Sequence, residues 1–141
     1  MIKVAICEDS RMDREVLRKI VTYLMQERGL AFQLGTYESG DALMQDYEKH
    51  PFYLIFLDIM MSGLDGLETG RRIRQVDVQA EIVYCTSSKD FAIAAYEIHA
   101  MGYLLKPYEP GRIGAVIDYF MLKHPQENRK FIEVKSHRKS V

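Results

Sequence analysis

Residues 52–58 read FYLIFLD, six apolar side chains in a row that stop on a single acid. An unbroken run of that length, rich in aromatic and branched residues, predicts a strand buried on both faces, as in a parallel sheet. A glycine-bearing loop, IMMSGLDG (59–66), follows, and then a helical stretch to about residue 75 in which Leu67, Gly70 and Ile73 face inward. Asp58 thus stands at the C-terminal end of a central strand. Open α/β sheets bind their ligands just outside those ends.

The same strand-then-helix pattern repeats on both sides of this unit. Toward the N-terminus, IKVAIC (2–7) is a strand that stops at the acid pair Glu8-Asp9. Ser10 is a helix cap, and Met12, Val16, Ile20, Tyr23 and Leu24 recur at helical spacing up to Gly29. Residues 31–37 are a second strand, and Ser39 caps a short helix that Pro51 stops. Toward the C-terminus, EIVYC (81–85) is a fourth strand followed by Thr86-Ser87-Ser88, with a short helix over about 90–98. Residues 102–105 form a fifth strand ended by Lys106-Pro107, and a last helix spans about 111–123 with Ile113, Val116, Ile117 and Phe120 on one face. Five βα units in series predict a single doubly wound, five-stranded parallel sheet with five flanking helices, right-handed crossovers and the first strand central.

Composition agrees with one soluble domain. The chain has 141 residues, 48% of them hydrophobic and 28% charged, with a formal net charge of −1. A chain of this length buries enough surface to fold without staples. A near-zero charge provides no whole-chain attraction to nucleic acid or anionic lipid. Cys7 and Cys85 each lie inside an apolar run, where they read as small buried hydrophobes and not as a disulfide or a zinc pair. The N-terminus is too soon acidic for a secretory signal, and no apolar run reaches the ~20 residues of a membrane span, so a cytoplasmic protein is expected.

The residues ending the strands are Glu8 and Asp9, Asp58, Thr86 and Lys106. With the first strand central, these ends surround one pocket holding three carboxylates, a hydroxyl and an ammonium. Carboxylates crowded together either raise one another's pKa or recruit a cation, and one lysine offsets a single charge. Oxygen ligands of this kind suit Mg²⁺, a hard octahedral ion. With like-charge repulsion neutralised, Asp58 is placed to attack a phosphoryl group and form an aspartyl phosphate.

Taken together, the acid pair Glu8-Asp9, the segment FLDIMMSGLDG (56–66), Thr86 after the fourth strand and YLLKP (103–107) resemble the receiver domains of bacterial response regulators, the CheY-like family, along residues 1–123. The resemblance implies the flavodoxin-like strand order 2-1-3-4-5. It implies Asp58 as phosphoacceptor; Asp9, Asp58 and the backbone carbonyl of Met60 as Mg²⁺ ligands, with Glu8 assisting through water; and Thr86 and Lys106 as phosphoryl-oxygen partners. Tyr103 becomes a switch residue that follows Thr86. A sensor histidine kinase as phosphodonor, and a homodimer formed on activation through the face of the fourth helix, fifth strand and fifth helix, also follow from the family. Such a domain signals and is not an enzyme for an external substrate. Aspartyl-phosphate enzymes often carry a second Asp two residues past the nucleophile, where this chain has Met60. The other reading of the same fold is a pseudo-receiver, an interaction module that is never phosphorylated.

Two positions depart from the family pattern. Ser62 stands where proline is common, which predicts a more mobile loop, and Ser87 stands where alanine is common. Asp65-Gly66 reads as a turn and helix start, and His50, His99, His124 and His137 as surface residues. Residues 124–130 read as a linker. Residues 129–141 (RKFIEVKSHRKSV) are similar to the first strands of LytTR-type DNA-binding domains, so 131–141 is expected to be the start of an output domain or a free tail. The basic KSHRK (135–139) could touch phosphates but reads rather as the polar turn of a truncated element, and contact with DNA is expected only through such an output domain.

Overall fold

The computed structural model describes residues 1–125. The elements alternate as β1 (Ile2–Cys7), α1 (Arg11–Glu27), β2 (Phe32–Tyr37), α2 (Gly40–Tyr47), β3 (Leu54–Asp58), α3 (Gly66–Val76), β4 (Glu81–Thr86), α4 (Ala92–Glu97), β5 (Gly102–Leu105) and α5 (Pro110–Lys123). All strand pairs are parallel, in the order β2-β1-β3-β4-β5, as expected. Among the described residues no helix is long and apolar enough to cross a membrane.

Strand alternation divides the core into two layers. Val4, Ile6, Leu54, Phe56, Val83, Cys85 and Leu104 pack against α1 and α5 through Leu17, Val21, Leu24, Met25, Ile113, Ile117 and Phe120. Ala5, Cys7, Ile55, Leu57, Ile82 and Tyr84 pack against the helices of the other face through Leu43, Tyr47, Ile73 and Ala95. In β3 the four residues before Asp58 are all at 0% exposure. At ~1.5–3 kcal/mol per fully buried large side chain, that strand anchors both layers.

Local chemistry sets the helix ends. The Ser10 hydroxyl accepts from the Asp13 N–H, Ser39 from Ala42 and Asp65 from Glu68, so these three residues are N-caps. Gly29, just past α1, takes φ 67°, a left-handed conformation that glycine adopts without strain.

Helix α1 differs from its expectation. Its buried residues are Leu17, Val21, Leu24 and Met25, whereas Met12, Val16 and Tyr23 are exposed. Two apolar series of helical spacing run side by side here, and contact with the sheet and α5 selects one of them. Helix α4 is also shorter than its pattern. Residues 88–90 close a turn through the Asp90 N–H to Ser88 Oγ bond and leave α4 without a side-chain cap.

Candidate functional site

The C-terminal edge of the sheet gathers the strand-end residues. Glu8 and Asp58 are buried at 1% and 2% exposure, and Asp9 faces solvent. Ligand oxygens of Glu8, Asp9 and Asp58 all lie within 4.8 Å of one another. Lys106 reaches across from β5, with Nζ 2.5 Å from Glu8 Oε1, 3.0 Å from Asp13 Oδ2 and 3.4 Å from Asp58 Oδ1. The first two contacts are hydrogen bonds. The third attracts by charge without hydrogen-bond alignment, so Asp58 Oδ1 is a buried oxygen with no hydrogen-bond partner.

This arrangement pushes the Asp58 carboxyl up to about 7. Burial is the main cause, the neighbouring Glu8 adds to it, and Lys106 opposes it. Burial also works against the charge of Lys106, but hydrogen bonds to Glu8 and Asp13 outweigh it and hold the ammonium firmly protonated. A buried, unpartnered carboxylate oxygen beside two further acids is a site short of positive charge. The donor set is all oxygen, so these residues fit a hard divalent cation.

The loop after β3 is held tight against the strand. The Gly66 N–H donates to the Ile59 carbonyl at 3.0 Å, and a Cβ on Gly66 would stand 2.1 Å from the Asp58 carbonyl oxygen. Asp65 caps α3, so Asp65-Gly66 is a turn and helix start as expected. The expectation of a looser loop at Ser62 meets a tether, because its N–H donates to Asp9 Oδ2 at 3.2 Å. Proline has no N–H and could not make that bond. The side chain of Met60 points to solvent at 60% exposure, so any part it takes in the site is through its backbone.

Thr86 ends β4 fully buried, and its Oγ1 accepts the Ser88 N–H at 3.2 Å. The Tyr103 hydroxyl donates to the Ser88 carbonyl at 2.6 Å. Thr86 and Tyr103 are therefore joined through one residue, Ser88, which the sequence did not single out. Asp13 was missed as well, because it sits in the first turn of α1 and looks there like an ordinary helix-start acid.

The chain matches the model of the response regulator receiver domain family over residues 4–118. This protein belongs to the response regulator receiver family. The receiver is 35% identical over 113 residues to the sensory transduction protein LytT of Oceanobacillus iheyensis, covering 79% of this chain and 44% of the relative. It is 31% identical over 116 residues to the transcriptional regulatory protein YpdB of Escherichia coli, covering 82% of this chain and 46% of the relative. The chain thus spans less than half the length of these two relatives. Its fold is similar to the response regulatory domain of the protein MrkE of Klebsiella pneumoniae, with TM-score 0.79, 28% identity, and 89% of this chain and 99% of that chain covered.

Outside the site, Cys7 and Cys85 are buried free thiols, both pushed up to about 12, chiefly by burial. They are inert at neutral pH. His50 and His99 are exposed. His124 is not the plain surface residue expected: it is half-buried, stacks on Phe120 at 4.5 Å between ring centroids, and lies 3.3 Å from Glu81. The linker expected at 124–130 falls largely outside the described residues, and His137 and residues 131–141 lie wholly outside them.

Proposed function

We propose that this receiver takes a phosphoryl group from a sensor histidine kinase onto Asp58 and passes the change to an output that controls transcription. The observation that carries the reading is the buried, unpartnered Asp58 Oδ1 among three acids and one lysine. Asp9, Asp58 and the Met60 backbone carbonyl would hold Mg²⁺, with Glu8 assisting. When bound, the ion neutralises the charge of the entering phosphoryl oxygens. An Asp58 carboxylate oxygen attacks phosphorus; the new P–O bond forms as the P–N bond to the donor imidazole breaks, and the imidazole leaves with that electron pair. Lys106 and Thr86 bind phosphoryl oxygens, and positioning of this kind is the main need of phosphoryl transfer.

Release of the Ser88 N–H by Thr86 loosens the carbonyl that holds Tyr103, and the face of α4, β5 and α5 changes with it. That face bears exposed Ile93, Tyr96, Tyr119 and Leu122, which suits pairing with a second copy on activation. Residues 1–123 act as the receiver, 124–130 as a linker and 131–141 as the start of an output domain, through which alone DNA is met. The name of the YpdB relative, a transcriptional regulatory protein, supports a transcriptional output, and that of LytT, a sensory transduction protein, supports a role in signalling. The proposed place of action is the cytoplasm.

The deciding experiment is intact mass after acetyl phosphate and Mg²⁺. One phosphoryl group should appear, stable in acid and labile in base. Equal labelling of Asp58→Asn would overturn the assignment.

A further inference from the structure

Lys106 has three N–H donors and three carboxylate neighbours, yet it hydrogen-bonds only two of them, Glu8 and Asp13. Glu8 and Asp58 are strand-end acids of the site. Asp13 is different: it comes from the first turn of α1, its side chain is 41% exposed, and it lies outside the Glu8, Asp9 and Asp58 cluster. Its Oδ2 nevertheless takes a full hydrogen bond from Nζ at 3.0 Å, while Asp58 Oδ1 at 3.4 Å takes none. The lysine is therefore held toward the mouth of the cleft and away from the oxygen that its charge would serve.

We propose that Asp13 is a positioning residue that holds Lys106 at rest and is the partner exchanged when a phosphoryl oxygen arrives. The proposal rests on the phosphoacceptor reading of Asp58. Two N–H groups of the ammonium are engaged, by Glu8 and Asp13, and hold Nζ where it makes no hydrogen bond to Asp58. To bond a phosphoryl oxygen on Asp58 the ammonium has to move, and that movement lengthens one of the two bonds. Giving up Glu8 would strand a carboxylate at 1% exposure, whose other side-chain partner is the Ser10 N–H at 3.1 Å. A buried carboxylate stripped of its counter-charge is strongly destabilising. Giving up Asp13 hands a half-exposed carboxylate to water, a far smaller loss. Asp13 is thus the partner that leaves, and its hold on Lys106 opposes phosphoryl binding. Its place in the first helical turn keeps it there, since a carboxylate is favoured at a helix N-terminus.

The test is a double-mutant cycle on the full chain, with beryllium trifluoride in saturating Mg²⁺ as the phosphoryl analogue and its Kd read by calorimetry. Asp13→Asn should tighten binding by roughly threefold to tenfold, the worth of a part-exposed charged hydrogen bond. In a Lys106→Gln background the same change should have no effect. Unchanged or weaker binding by Asp13→Asn overturns the role of Asp13 alone. Equal tightening in both backgrounds also overturns it, because loss of one negative charge then explains the gain. If Lys106→Gln binds too weakly to titrate, measurable binding by the double variant overturns the proposal and equally weak binding supports it. Failure of the unaltered protein to bind the analogue removes the phosphoacceptor reading and this inference with it. Asp13→Glu keeps the charge within reach of Nζ and should restore the original Kd.

Discussion

The carboxyl of Asp58 predicts how metal-free stability depends on pH. Its pKa rises from 3.8 to about 7 on folding, so between these values the folded protein holds a proton that the unfolded chain has lost. Stability from this group is fully present below pH ~4 and falls as pH rises through the folded pKa, with a slope of ~1.4 kcal/mol per unit. Across the window the loss is ~4 kcal/mol, the worth of about three units. Asp58→Asn is neutral in both states and leaves Lys106 its bonds to Glu8 and Asp13. Without metal, the variant should match the unaltered protein near pH 4 and exceed it by several kcal/mol at pH 8. For a domain of this size that is a melting temperature higher by ~10 °C. Thermal unfolding followed by circular dichroism in EDTA, at half-unit steps from pH 4 to 8.5, measures the difference. Titrating groups away from Asp58 are common to both proteins and cancel, so the difference reports Asp58 together with the neighbours it is coupled to, Glu8 and Lys106. A difference that stays flat across the range, or an unaltered protein that is more stable at pH 8, would refute the reasoning. Mg²⁺ should then raise the unaltered protein far more than the variant, since a cation relieves the buried charge.

Three further outcomes follow from the packing around the site. Gly66→Ala places a Cβ 2.1 Å from the Asp58 carbonyl oxygen, a backbone atom that cannot step aside, so it should lower stability by ~1–3 kcal/mol and weaken Mg²⁺ binding in calorimetry. Gly70→Ala meets the Tyr84 hydroxyl at 1.9 Å, and chemical denaturation should show a loss that Tyr84→Phe partly restores. Tyr84→Phe alone removes a buried hydroxyl with no partner and should be neutral or stabilising. Lys106→Ala should still take a phosphoryl label by mass but show little of the spectral response of the unaltered protein around Tyr103.

Strands β1, β3 and β4 were legible because a parallel strand buried on both faces leaves an apolar run with a hard stop, whereas β2 and β5 are only part-buried and show as a more mixed run and a shorter one. The stops at Glu8, Asp58, Thr86 and Lys106 carry the site. What the chain order hides is contact between elements. Asp13 and Lys106 are 93 residues apart, and a helix-start acid gives no sign that a lysine will reach it. Ser88 acts through its backbone N–H and carbonyl, groups that every non-proline residue has, so residue type could not mark it. The buried face of α1 was ambiguous for a related reason. Two apolar series fit the 3.6-residue period, and only the sheet distinguishes them.

In the proposed switch, the state described by the structure is held by weak bonds at the point that would have to yield. Thr86 Oγ1 is bound by one neutral N–H at 3.2 Å, and Tyr103 by one hydroxyl-to-carbonyl bond at 2.6 Å, both to Ser88. A neutral hydrogen bond is worth ~0.5–1.5 kcal/mol, and one to a charged acceptor ~1.5–3 kcal/mol. Once a phosphoryl oxygen stands near Thr86, exchanging the first kind for the second favours the new arrangement by ~1–2 kcal/mol. That shifts a two-state balance by roughly fivefold to thirtyfold, which is partial activation and not a locked switch. On the proposed reading, completing the shift takes the other charged partner, Lys106, whose movement toward the phosphoryl group is opposed by its bond to Asp13. In the proposed switch the two exchanges draw on the same phosphoryl group, so it predicts an extent of activation that depends on Asp13 as well as on Thr86.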